Sequence, residues 1–241
     1  MVLFQGGAII QKKIKEDMLF PGLKSETKEK LLQWGRMKSY GKKEIIFLDR
    51  QNEEKIYILL EGYAALYKVN KNMERKIIFI LGPGDILNEE VLENTIVSTN
   101  SIALEETKLL LFTKKQWLEL MEQDFSLVTW TYNEMAMKIR RLCHQLGNTT
   151  NAMRLNQQVA AKLWKLAKDY GIRTEAGIQI PFDMTISFLA DMVGSKRETV
   201  SRVIKNYAQQ GLVSMRQNRC IIYNMERLKK ITMEYIAASY E

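Results

Sequence analysis

The amino-acid sequence predicts an α+β chain in three parts: an N-terminal antiparallel β-roll, a long dimerisation helix and a C-terminal winged helix-turn-helix. Three observations predict it. Between Lys42 and Thr113, short β-rich runs alternate with glycine-containing turns. From Phe125, apolar residues recur at alternating spacings of 3 and 4, with no proline to interrupt them. From Met184, two helical patterns meet at Gly194, and the second carries Lys and Arg outside its apolar stripe.

In chain order, residues 1–23 read as an arm that ends near Phe20-Pro21-Gly22. Residues 25–37 (SETKEKLLQWGRM) predict a helix with Ser25 as its cap. Strands are expected at 44–48, 55–60, 63–69, 75–81, 101–104 and 108–112, with hairpin-sized turns at Glu61-Gly62, at 70–73 and at Gly82-Pro83-Gly84-Asp85. A helix over 114–122 closes this part, and the long helix follows over 125–150. Another amphipathic helix over 156–170 stops at Gly171, and a short strand at 178–181 precedes the helix-turn-helix. Runs at 212–215 and 220–223 flank Arg216-Gln217-Asn218-Arg219 as a wing with a basic tip, and 225–240 predicts a closing helix. The resulting division is an arm (1–23), a β-roll sensor domain (24–122), a dimerisation helix (123–153) and a winged helix-turn-helix domain (154–241).

The long helix carries a seam of Phe125, Val128, Tyr132, Met135, Ile139, Leu142 and Leu146, continued by Thr149 and Met153. A strict 3-4 alternation is the 3.5-residue period of a two-stranded coiled coil, narrower than the stripe of a helix lying on its own domain. It predicts a symmetric homodimer, which sets two DNA-reading helices about one duplex turn apart.

In the helix-turn-helix, Ala190 allows close crossing, Gly194 takes a positive φ in the turn, and Val200 packs between the helices. Ser195 and Glu198 form an S-x-x-E pattern that predicts a capping box and the start of the second helix at that point. Ser195, Lys196, Arg197, Glu198, Ser201 and Arg202 are the candidate DNA-reading residues, joined in the wing by Arg216 and Arg219 as phosphate contacts. Arginine can bond guanine O6 and N7 together, and glutamate can accept from cytosine N4.

Charge agrees with this placement. From Arg154 onward there are 14 Lys and Arg against 8 Asp and Glu, so most of the chain's formal +8 lies in the part that would meet phosphate. Two isolated cysteines, Cys143 and Cys220, suit a reducing cytoplasm and give neither a disulfide framework nor a zinc spacing. One histidine, no metal-ligand spacing and no paired nucleophile and base exclude the common enzyme constellations, so no catalytic residue is assigned. No apolar run approaches the length of a membrane span.

Architecture and residues together resemble the family of the cyclic-AMP receptor protein and the fumarate–nitrate reduction regulator (CRP/FNR), over nearly the whole chain. The resemblance is most specific at Val193-Gly194-Ser195-Lys196-Arg197-Glu198-Thr199-Val200-Ser201-Arg202. It implies a cyclic-nucleotide-binding-like β-roll, base reading by Arg197, Glu198 and Arg202, an inverted-repeat operator, and RNA polymerase as a partner.

The implied effector pocket comprises Asn88, Glu89, Thr99, Asn100, Tyr132 and Lys138. In cyclic-nucleotide binders an arginine stands where this chain has Thr99, and without that cation a buried phosphate has no partner, so cyclic AMP is not expected. An iron–sulfur centre needs a cysteine cluster, which two separated cysteines do not supply. Cys143 and His144, adjacent on the long helix, point about 100° apart and do not readily hold one metal together. The Gly7-Ala8-Ile9-Ile10, Leu19-Phe20-Pro21 and Ile222-Tyr223-Asn224 segments look like the halorespiration regulators of the family. That likeness implies a chlorinated phenol as effector, with Lys138 receiving the phenolate. Cyclic-nucleotide sensing, haem or redox sensing, and effector-independent DNA binding stay open as alternatives.

Overall fold

The computed structural model describes residues 19–93, 95–150 and 155–238. The expected arm falls almost wholly outside them. The chain divides into two compact units, one formed by residues up to 66 with 79–141, the other by 67–78 with 142 onward. This division follows packing, whereas the expected bounds at 122/123 and 153/154 follow sequence features.

The first unit holds a helix α1 (Ser25–Trp34) and strands β1 (Arg36–Tyr40), β2 (Ile45–Phe47), β3 (Lys55–Glu61), β4 (Ala64–Val69), β5 (Arg75–Leu81), β6 (Asn100–Ala103) and β7 (Thr107–Thr113), the ends of β4 and β5 running into the second unit. They form two antiparallel sheets, β1-β7-β3 and β2-β6-β4-β5, which is the expected roll. Ile56, Ile58, Leu59 and Leu109 are fully buried, and each sheet closes on such residues. A 3-10 turn (Glu89–Leu92) interrupts the strands, and helix α2 (Lys114–Gln123) follows β7 behind a capping box in which Thr113 and Gln116 satisfy each other.

The helix expected over 25–37 is corrected. It ends at Trp34, Lys24 rather than Ser25 is its N-cap, and residues 36–40 are an edge strand on β7. Gly35 explains the break, because a Cβ there would stand 2.4 Å from Leu110 Cγ. Only glycine lets the chain pass so close to β7, and the residues after it then continue the ladder.

Helix α3 runs over Phe125–Thr150, as expected. Asp124 starts it: the carboxylate accepts from the Ser126 amide (2.9 Å), from Ser126 Oγ (2.7 Å) and from Thr27 Oγ1, with Lys24 Nζ at 3.4 Å. Burial by itself would raise this carboxyl, but the bonds from Thr27 and Ser126 and the charge of Lys24 outweigh it and hold it at about 2. The helix has two faces. Leu127, Trp130, Thr131 and Glu134 are buried within the first unit, Trp130 against Phe20 and Trp117. Of the seam, Phe125, Tyr132, Met135, Ile139, Leu142 and Leu146 lie elsewhere on its circumference and are open in the single chain, Val128 is half-buried, and Met153 lies outside the described residues.

The second unit contains α4 (Leu155–Tyr170), α5 (Ile186–Val193), α6 (Arg197–Gln209), α7 (Met225–Ala238) and a sheet ordered β10-β11-β9-β8. Its strands are β8 (Ile172–Thr174), β9 (Gly177–Gln179), β10 (Val213–Arg216) and β11 (Arg219–Ile222). Strand β8 was not expected from the sequence; it pairs with β9 through a short hairpin that includes Gly177 at φ 140°. Val159, Leu163, Leu189, Val200 and Leu228 are fully buried and form the core. No helix among the described residues is long and apolar enough to cross a membrane.

Candidate nucleic-acid interface and sensor pocket

Thr185 caps α5 by accepting from the Phe188 amide (3.0 Å), and Gly194 ends the helix at φ 71° while its amide bonds Ala190 O (2.8 Å). The Ser195 amide also bonds Ala190 O (3.1 Å). Ser195 therefore belongs to the end of α5, and the expected capping box does not form. Helix α6 starts two residues later, with Lys196 as N-cap and no side-chain cap bond. Glu198 still sits in its first turn, where it suits the helix dipole. Val200 packs at zero exposure between the helices, as the spacing predicted.

Lys196, Arg197, Glu198, Ser201 and Arg202 are all exposed at the start of α6, and Ser195 is half-buried beside them. The wing stands next to them. Gln217 and Asn218 have φ of 50° and 61°, the two positive values of a type I′ turn. Arg216 and Arg219 face each other across the last ladder pair before this turn. Like charges set directly opposite cost stability, and among the described residues no carboxylate pairs with either. Such a pair is what a polyanion would neutralise. The turn is fixed from below, since the Met184 amide donates to Asn218 O (2.8 Å). A groove of about 640 Å³ lies between α6 and the wing, bordered by Ser201, Lys205, Arg216 and Arg219.

The β4–β5 hairpin, residues 67–78, packs in this same unit. Lys76 Nζ donates to Met192 O (3.0 Å) at the C-terminal end of α5, where an ammonium suits the helix dipole. Burial lowers its pKa, and Lys162 nearby is pushed down to about 8, by burial first and then by Lys76.

The six candidate effector residues separate into different roles. Asn88 is fully buried and bound to β3, accepting from the Tyr57 amide (3.0 Å) and donating to Lys55 O (2.8 Å). Asn100 accepts from the Asp49 amide (3.1 Å). Tyr132 lies on the open seam, 67 % exposed. Glu89, Thr99 and Lys138 are turned inward. Lys138 Nζ contacts Glu89 Oε2 (2.5 Å), Ile86 O (2.7 Å) and, more distantly, Leu87 O (3.4 Å), so its charge already has a carboxylate partner. The side chains of Lys138 and Glu89 are 12 % and 5 % exposed. Thr99 Oγ1 and the fully buried Ser101 Oγ have no hydrogen-bond partner among the described residues. Thr99 lies in the bend just before β6, and Ser101 is the second residue of that strand.

Reading the sequence did not bring out Glu134. It is 9 % exposed on the inward face of α3, and burial, with Asp85 and Glu89 nearby, pushes its carboxyl up to about 7 against the pull of Lys138 and Arg141. Its spacing of four from Lys138 is the signal that marks it in the sequence. Cys143 and His144 are both exposed, and Cys220 is buried, its thiol pushed up to about 12 by that burial. Among the described residues, no group of three or more His, Cys, Asp or Glu side chains is placed to hold a metal ion.

Comparison with known proteins meets this geometry at both ends of the chain. Residues 37–124 match the cyclic nucleotide-binding domain, and residues 157–231 match the Crp-like helix-turn-helix domain. The "Cyclic AMP receptor protein" of Thermus thermophilus is 26 % identical over 206 residues, which cover 84 % of this chain and 90 % of that one. Among solved structures, a CRP-family transcriptional regulator of Thermus thermophilus superposes with a TM-score of 0.70 at 21 % identity, covering 81 % of this chain and 96 % of the other. The c-di-GMP responsive global regulator CLP of Xanthomonas campestris gives 0.72 at 16 %, covering 83 % of this chain and all of the other. The roll, the exposed start of α6 beside its wing and the two matched domains agree: this chain belongs to the CRP/FNR family, as a DNA-binding transcription regulator with an effector-binding domain rather than an enzyme.

Proposed function

We propose that this protein acts in the cytoplasm as a homodimer that reads an inverted-repeat operator in double-stranded DNA, works with RNA polymerase, and is switched by a small molecule other than cyclic AMP. The observation that carries the DNA reading is the exposure of Arg197, Glu198 and Arg202 at the uncapped start of α6, beside a wing whose two arginines face each other. The homodimer reading rests on the open seam. The exclusion of cyclic AMP rests on Thr99, a neutral hydroxyl without a partner among the described residues, at the position that the family resemblance gives to the phosphate-binding arginine.

The halogenated phenol implied by the family resemblance remains the effector class we assign. The pocket adds a condition, since a phenolate must take the place of Glu89 on Lys138. Phenols of lower hydroxyl pKa then act at lower concentration, because more of each is present as the competing anion. The runner-up is cyclic AMP itself, favoured by the relative named for it. Operator half-sites selected from random duplexes are expected to be inverted and related to TGTGA or TTGA. Binding to the selected operator is then titrated with halogenated and plain phenols and with cyclic AMP, for wild type and Lys138→Ala. Activation by cyclic AMP alone, or a phenol response indifferent to both ligand pKa and Lys138, overturns the effector assignment. Selection that returns no symmetric site overturns the operator.

A further inference from the structure

Lys138 has two carboxylates within reach of its stem. One is Glu89, on the 3-10 turn of the roll, which it contacts at 2.5 Å. The other is Glu134, one helical turn earlier on α3, in the Glu-before-Lys order that favours an i,i+4 pair. Glu134 makes no hydrogen bond or ion pair among the described residues, although it is 9 % exposed. The charged groups around it are Asp85 and Glu89 from the segment beside β3, and Lys138 and Arg141 from its own helix. Asp85 is held by the Gly82 amide (2.8 Å).

We propose that Lys138 is a movable cation shared between Glu89 and Glu134, so that protonation of Glu134 decides whether α3 is clamped to the 3-10 turn and thereby makes operator binding respond to pH. This rests on the DNA-reading function above. With Glu134 protonated, Glu89 is the stronger partner, and Lys138 also ties down the Ile86 and Leu87 carbonyls. With Glu134 ionised, the ammonium is drawn back along its own helix. Glu89, 5 % exposed, is then left without its cation, and the turn that carries it must open to hydrate the carboxylate. The clamp holds the effector-free placement of α3, a single helix up to Thr150, so protons favour the form that the effector has to open.

The test measures the dissociation constant for the selected operator between pH 6 and pH 8 at constant ionic strength. It is made in a His144→Gln background, because imidazoles titrate in this range and His144 is the one histidine of the chain. The reference protein is expected to bind about fivefold or more tightly at pH 8 than at pH 6, because ionised Glu134 frees Glu89 from Lys138 as the effector does. Glu134→Gln should hold the acid affinity throughout. In Glu89→Gln and in Lys138→Met the affinity should no longer depend on pH, because neither variant can form the clamp. The Glu134 carboxyl, followed by carbon-13 resonance without DNA, should titrate at lower pH in Glu89→Gln, where Lys138 pairs with it alone, and at higher pH in Lys138→Met, where the cation is gone. A pH-dependent affinity that persists unchanged in any of the three variants, or carbon-13 midpoints that do not part in the last two, overturns the inference. Absence of operator binding at every pH overturns the DNA-reading function instead, and the resonance measurement still decides the fate of Lys138.

Discussion

Replacing Ile139 by Asp tests whether the apolar seam is a dimer interface. Phe125, Tyr132, Ile139 and Leu146 are 78 %, 67 %, 58 % and 65 % exposed in the single chain, although they are spaced as one half of a coiled coil. Fully burying an isoleucine contributes about 1.5–3 kcal/mol, so covering the exposed part of Ile139 contributes about 1–2 kcal/mol per protomer. A symmetric substitution removes this twice, about 2–4 kcal/mol, and weakens the dimer by about 30- to 700-fold at about 1.4 kcal/mol per decade. Two facing carboxylates in a dry seam add to that loss. Ile139→Ala should show the burial loss alone, and Ile139→Asp at least a further about tenfold. Because Ile139 is open in the single chain, neither change should unfold the protomer, which circular dichroism melting checks. Sedimentation equilibrium gives the dissociation constant, and operator binding should weaken in parallel. A dimer of unchanged constant with intact operator affinity refutes the seam.

The remaining predictions concern the DNA-binding unit and the start of α3. Arg197→Ala should cost about 1–3 kcal/mol on the selected operator and less on random duplex; equal losses on both would mean that Arg197 meets only phosphate. Arg219→Ala should lower the slope of log affinity against log salt by about 1, with little change in base preference, if it neutralises one phosphate. Gly194→Ala forces a side chain into φ 71° and should destabilise the fold by about 1–2 kcal/mol in urea melts; the contact of its Cβ with Lys76 Nζ adds little, because that ammonium ends a flexible side chain. Asp124 is held at about 2, below its unfolded value, so its stabilisation is fully present above about pH 4 and is lost as pH falls through 2. Asp124→Asn should therefore melt lower at neutral pH and show a shallower loss of stability in acid, and identical acid limbs would remove that carboxylate from the account.

Much of the fold could be read from residue spacing. The bounds of α3 agree with the expected 125–150, and α5 stops at Gly194 as expected, because each apolar pattern has a single helical period and an unambiguous stop. The misreadings share a cause, which is that local propensity was overruled by a neighbour distant in sequence. Residues 36–40 continued a helical composition into β1 because Gly35 must pass under Leu110 and Phe112. Strand β8 has only three residues, all exposed, and exists because β9 offers a ladder. The capping box failed for a local reason, since the Ser195 amide is taken by Ala190 O in ending the preceding helix.

The two functional regions differ in legibility for a related reason. The residues proposed to face DNA are exposed side chains on one helix and one hairpin, so listing them needs only the register of each element. A pocket is made of side chains that meet from separate segments, and sequence assigns them by position without knowing what each is already bonded to. Asn88 and Asn100 have the polarity of ligand-binding residues, yet their amides hold backbone at β3 and at Asp49. Lys138 does turn inward, but it meets Glu89, and the pairing changes what the proposed effector must do: it has to compete with an internal anion rather than fill an empty charge. That competition also gives weight to Glu134, which no family pattern pointed to. A buried carboxyl beside a cation that already has a partner is costly to ionise, and the fold tolerates it only in a place where protonation or movement relieves the cost.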